Sequence, residues 1–246
     1  AAYKAKHEGK SMTFNLKVKK NVNQKLFGTG AVAIFSKQLL EIRRTAYFLF
    51  FDVASITVIG SAIAFKLLMP EDTNDLSLFM ILCFSVYMLL IFQMQGRLGT
   101  ELDKPYIFLI PASSQQKLFY ATAPEHIKNI LDGMLLFMIA GILFKGQLPV
   151  VIACIITYAS FGAVFVYSDI LCRRLFGWTH SKGLSMFIKV IVVLLIQIPG
   201  IAAAVITGMA TDSEFLVICA LGGWSLILAA TFFVFSAGIL NNLESA

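Results

Sequence analysis

Residues 149–171 read PVVIACIITYASFGAVFVYSDIL. This stretch holds a single charged side chain, Asp169, near its end. It is too long for a strand and lacks the alternation of a half-buried sheet. Length and apolarity match a segment that crosses a bilayer, where about 20 residues of helix are needed. In hydrocarbon the backbone has no water to bond to, so a helix that satisfies its own N–H and C=O groups is the reading that survives. Five further apolar runs, at 46–65, 76–92, 127–144, 187–207 and 215–240, read the same way.

Composition agrees. Of 246 residues, 58% are hydrophobic and 14% charged, against about 45–50% and about 25% in soluble domains. Those values argue against a soluble globular protein, a disordered chain and a disulfide-rich secreted module. The four cysteines, Cys83, Cys154, Cys172 and Cys219, lie in or beside apolar runs without CxxC spacing. They are expected to pack helices rather than hold zinc or form a disulfide framework. The expected fold is all-α: an integral membrane bundle of six transmembrane helices.

The formal charge of +6 would raise nucleic acid as a partner for a soluble protein. Here its distribution carries the information. Ten Lys or Arg residues precede the first run, four lie between runs two and three counting Lys128 at the edge, and four between runs four and five counting Lys189 at the edge. Only Lys66 and Lys145 fall on the other side, where Glu71, Asp72, Asp75, Asp212 and Glu214 collect. Basic residues concentrate on the cytoplasmic side of membrane proteins. Both termini are therefore expected to be cytoplasmic and nucleic acid is not an expected partner.

Residues 1–27 are polar and Lys-rich and read as a basic cytoplasmic linker or tail beside anionic headgroups; residues 28–246 are expected to form the six-span transmembrane domain. The first residue is Ala and no signal peptide is evident, so the chain is expected to be a processed product or a piece of a longer one. Residues 30–45, GAVAIFSKQLLEIRRT, place Ile34, Phe35, Leu39 and Ile42 at helical spacing. The expectation is an amphipathic interfacial helix before the first span. Glu41 and Arg44 stand three apart and can pair. The segment reads either as an elbow that passes motion to the first span or as a plain anchor.

The longest loop, 93–126, contains GRLGTELDKPYIFLIPASSQQKLFYATAPEH. Pro105 and Pro111 push their predecessors away from helix. A short surface helix is expected over 112–121, and Thr122–Glu125 resembles a capping box opening the third span. An apolar hinge followed by a short helix suits docking into a groove on another protein; the alternative is an interfacial segment with no partner.

Glu101-Leu102-Asp103-Lys104-Pro105-Tyr106-Ile107-Phe108-Leu109-Ile110-Pro111-Ala112-Ser113, followed by Lys117-Leu118, resembles the first cytoplasmic loop of ABC-2-type exporter permeases. It is most similar to the ABC exporter family of Gram-positive bacteria. The Gly28–Arg44 stretch, with Gly-Ala-x-Ala-Ile-Phe and Leu-Leu-Glu-Ile-Arg-Arg, resembles the same family at a domain start. The resemblance implies a permease that moves cargo when a separate cytoplasmic ABC ATPase binds ATP and Mg. It implies that this chain is the second of two six-span halves, in a bacterial plasma membrane, with a second half or second copy completing the path. Asp103, Pro105, Tyr106, Pro111 and Lys117 are then the expected ATPase-coupling residues.

The chain is expected not to be an enzyme and to bind no cofactor itself. It has no G-x-x-x-x-G-K-[ST] motif, and Gly28-Thr29-Gly30-Ala31-Val32-Ala33 imitates a dinucleotide fingerprint without a preceding strand or a suitably placed acid. No clustered His or carboxylate set suggests a metal site.

Carboxylates inside spans are costly and are functional candidates by default. Asp52 and Asp132, with Gln197, are the candidate lining of a translocation path. Asp52 and Asp132 can instead pair with Arg43, Arg44 or Lys128, and Asp169 with Arg173 one turn on. An ion-coupled secondary transporter using Asp52 and Asp132, or a non-transporting scaffold, are the alternatives to an ABC exporter. In the fifth run Pro199 should kink the helix. Gly200, Ala204 and Gly208 permit close helix approach, as a hinge, as the face meeting another half, or as ordinary packing.

Overall fold

The computed structural model describes residues 28, 30–45, 56–57, 59–60, 63–64, 77–93, 110–176, 182–211 and 213–244. Six helices are defined among them: α1 Val32–Thr45, α2 Ser77–Gln93, α3 Ser114–Leu143, α4 Leu148–Phe176, α5 Lys182–Ala210 and α6 Glu214–Glu244. There is no strand among the described residues. Helices α3 to α6 are each long and apolar enough to cross a membrane, and α2 is a shorter apolar helix. The expected first span, 46–65, lies largely outside the described residues, although 56–57, 59–60 and 63–64 are helical.

Helix α4 is the centre of the bundle and packs against α2, α3, α5 and α6. Helix α6 covers it along its length and also meets α5 and α3. Lipid tails are as apolar as the helices, so close packing rather than water exclusion holds such a bundle together. Glycines supply the room. A Cβ on Gly222 of α6 would collide with Thr157 of α4, and one on Gly200 of α5 would collide with Trp224 of α6. Polar side chains are accommodated by their own helices: Ser160 Oγ donates to the Thr157 carbonyl at 2.7 Å, and Ser168 Oγ to the Phe165 carbonyl at 2.8 Å. Such back-bonding lets hydroxyls sit in an apolar interior.

The third run begins earlier than the sequence reading places it. Helix α3 starts at Ser114, thirteen residues before the expected start at residue 127. Its N-cap is Ser113, whose side chain accepts from Gln116 N at 3.4 Å. The expected break near 122–125 is absent: α3 runs through Pro124. Proline removes one amide donor. Thr122 fits the same stretch by donating to the carbonyls of Leu118 and Phe119 at 3.0 and 3.3 Å rather than capping a new helix. Helix α3 ends with Lys145 at φ 52 and Gly146 N donating to the Gly141 carbonyl at 2.9 Å, the pattern of a left-handed C-terminal cap. Pro149 follows in the first turn of α4, where its missing N–H costs no helical bond.

Candidate functional site at the basic end of the bundle

Two features lie along α3: a platform at its first turns and, about 22 Å further on, a polar network level with the end of α2. The first is a platform made from distant parts of the sequence. Gly30, at φ 61, turns the chain into α1, and the Gly30 and Ala31 carbonyls accept from Ala33 N and Ile34 N at 3.2 and 3.1 Å. Positive φ is cheap only for glycine, so this Gly-x-Gly opens a helix. Helix α1 then packs against α3. Ala31 just before α1 and Ile34 and Gln38 on it are buried, and Ser114, Lys117, Leu118 and Ala121 form a buried stripe on α3.

Of the coupling residues expected from sequence, Pro111 is exposed and precedes α3, while Lys117 is buried. Asp103, Pro105 and Tyr106 lie outside the described residues. So do the side chains of Glu41 and Arg44, although both positions belong to α1. The large exposed apolar side chain on this turn is Phe119, 53% accessible and edge-on to Tyr120 with ring centroids 5.6 Å apart. The sequence reading noted Phe119 only as an apolar position. The packing of α1 is what gives the turn an inner and an outer side.

The second feature is a polar network linking four helices. Gln93, the last residue of α2, donates through Nε2 to Asn129 Oδ1 of α3 at 2.8 Å. Its backbone carbonyl accepts from Lys189 Nζ of α5 at 3.5 Å. The same ammonium stands 3.7 Å from Asp169 Oδ1 of α4. One turn along α3 from Asn129, Lys128 and Asp132 pair at 2.8 Å. Beside these, His126 Nε2 meets Tyr167 Oη at 2.8 Å, and Tyr167 packs edge-on to Phe233 of α6.

Asp132 is thus neutralised by a neighbour on its own helix, one of the partners the sequence offered. Asp169 takes a cross-helix cation at Lys189 that the sequence reading did not name; the side chain of Arg173 lies outside the described residues, as does Asp52. Gln197 sits deeper. It is buried, its Nε2 donates to Ser225 Oγ of α6 at 3.4 Å, and its Oε1 has no hydrogen-bond partner. The Asp132 and Gln197 side chains belong to different places, one at the basic end and one at the α5–α6 contact. Gly200 and Ala204 face inward. Gly200 meets Trp224, whose Nε1 donates to the Ile196 carbonyl at 3.2 Å beside the Pro199 position. At Gly200 the small stripe is therefore occupied by α6, whereas Gly208 is exposed. Gly208 makes an ordinary contact with Val217. Among the cysteines, Cys154 and Cys172 are buried, and Cys83 and Cys219 are exposed.

This arrangement ties helices together through polar groups and presents a two-helix platform at the start of α3. Comparison with known families gives one match. The model of the family described as "Putative ABC exporter" matches residues 1–244, including the basic stretch at the start. No curated protein and no solved structure matches the chain. A match over nearly the whole length, on an all-helical chain with four helices able to cross a membrane, means that the chain belongs to this ABC exporter family.

Proposed function

We infer that this chain is the transmembrane permease of an ABC exporter, a multi-pass protein of the bacterial plasma membrane, with six spans and both termini cytoplasmic. Its residues 1–27 serve as the basic linker, and 28–246 form one six-span half that a second half or second copy completes. The chain carries no catalytic machinery; ATP and Mg act on a separate cytoplasmic ATPase. The observation that carries this reading is the platform. Helix α1 braces the first turns of α3, so a partner pressing on the loop before α3 pushes on a helix that continues into the bundle. Family membership and the positive charge collected on this side support the same orientation. In this mechanism closure of the ATPase pair displaces the platform, α3 carries the displacement, and the spans rock between inward and outward access.

Co-purification from membranes tests the reading. A Walker-motif ATPase is expected to accompany the tagged chain. Phe119→Asp is expected to release it and to abolish ATP-driven export in vesicles while the chain still folds. Absence of any ATPase, or full export by Phe119→Asp together with Pro111→Ala, sinks the docking claim.

A further inference from the structure

Lys189 is buried to 3% exposure yet poorly held. Its two contacts, the Gln93 carbonyl at 3.5 Å and Asp169 at 3.7 Å, are long for charge-assisted bonds, which favour about 2.7–2.9 Å. Two atoms beside it are worse off: Gln93 Oε1 and Asn129 Nδ2 are buried without any hydrogen-bond partner. Buried polar groups are nearly always paired, and an exception calls for an explanation. A static packing device would be expected to satisfy them or replace them by apolar groups.

The surroundings suggest what they are for. The network draws one residue from each of α2, α3, α4 and α5. Gln93 ends α2, whose free terminal carbonyls attract a cation, and Lys189 reaches it from about two turns inside α5. Asn129 fills the space beside Gly162 of α4, so a Cβ there would displace it. Helix α3 runs unbroken from Ser114 in the platform to Asn129 in the network, about 22 Å at 1.5 Å per residue. A push on the platform therefore arrives at Asn129.

We propose that Gln93, Asn129, Asp169 and Lys189 form a gate at the basic end of the bundle, with Lys189 as its latch, closed in this structure and opened by displacement of α3. In the closed state the Lys189 ammonium joins the end of α2 to α4. On opening, the unpartnered amide atoms and the separated charges gain water or the polar groups of cargo. The proposal rests on the exporter reading for its purpose but not for its test.

A native reporter is present. Cys172 is buried one turn beyond Asp169 on α4, and Cys154 is buried about five turns away on the same helix. The full chain in nanodiscs is treated with a water-soluble maleimide, and labelling is read at each cysteine by mass spectrometry. Asp169→Asn is expected to speed labelling of Cys172 at least about tenfold, since it leaves the buried Lys189 ammonium with only the long Gln93 contact, and Lys189→Met is expected to do the same by removing the tie between the end of α2 and α4, while Cys154 stays protected. The exchanged pair, Asp169→Lys with Lys189→Asp, is expected to return Cys172 toward its slow rate. Unchanged Cys172 labelling overturns the gate. Cys154 rising in step with Cys172 also overturns it, because the network is then only a prop for the fold. The measurement needs no ATPase, so a failed gate leaves the docking reading standing, and a missing ATPase leaves the gate result intact.

Discussion

Helices α4 and α5 are the same length, 29 residues each, and both are apolar enough to cross a membrane. Yet 72% of the apolar window of α4 is buried inside the protein, against 22% for α5. Around α4, buried residues face nearly every direction, with Val151, Cys154, Tyr158, Phe165 and Cys172 among them. On α5 the buried residues form one stripe: Lys189, Val193, Gln197, Gly200 and Ala204. Its polar groups point inward, and Ile191, Leu195, Ile198 and Val205 point out. Apolarity alone therefore does not tell a central helix from a peripheral one. In lipid the outside is as apolar as the inside, so the small and polar residues mark the packed face.

The comparison can be broken at its strongest point first. Tyr158 of α4 is 2% exposed, stacks edge-on to Phe137 with centroids 6.0 Å apart and lies against Gly133. Tyr158→Ala is expected to cost about 3–5 kcal/mol, as for other large buried aromatics, read as a fall in thermal unfolding temperature in lipid nanodiscs. A change within experimental error would mean that α4 is not the core.

Gly200→Val sharpens the other side. The new side chain overlaps Trp224, and overpacking of this kind costs about 1–3 kcal/mol. The same melting experiment should show it, with a further loss of the fluorescence signature of buried Trp224. Were α5 loosely attached, the helix would shift and stability would hardly change. The smallest effect is expected at Ile198, which is 55% exposed. Ile198→Ala should alter unfolding by no more than about 0.5 kcal/mol. A larger loss, accompanied by dissociation of a complex in native mass spectrometry, would mean that another protein rather than lipid covers this face.

Much of this architecture is readable from residues alone. The stripe on α5 is visible as 4-4-3-4 spacing. Lys128 and Asp132 are four apart, so their pairing follows from helix geometry. What escaped the sequence lies between elements. Lys189 and Asp169 stand on different helices, as do Gln93 and Asn129, and no local pattern pairs them. Pro124 misled for a physical reason. Proline is a reliable breaker where the flanking helix has little other support, but here α3 continues through Pro124 for about five further turns, held by its packing against α4. Glu214, read only as an acid of an outer loop, accepts from Phe79 N at 2.9 Å and so caps α2 from the start of α6.

The sequence by itself determined that the chain is helical and membrane-embedded, and its charge distribution argues for one orientation. Those properties follow from sums along the chain: apolar length against bilayer thickness, and basic residues counted on each side. Only the tertiary structure decided that α4 is central, that α1 braces α3, and that α3 runs unbroken from platform to polar network. These depend on which helix faces which, and that is settled by shape complementarity and polar pairing between residues far apart in the chain.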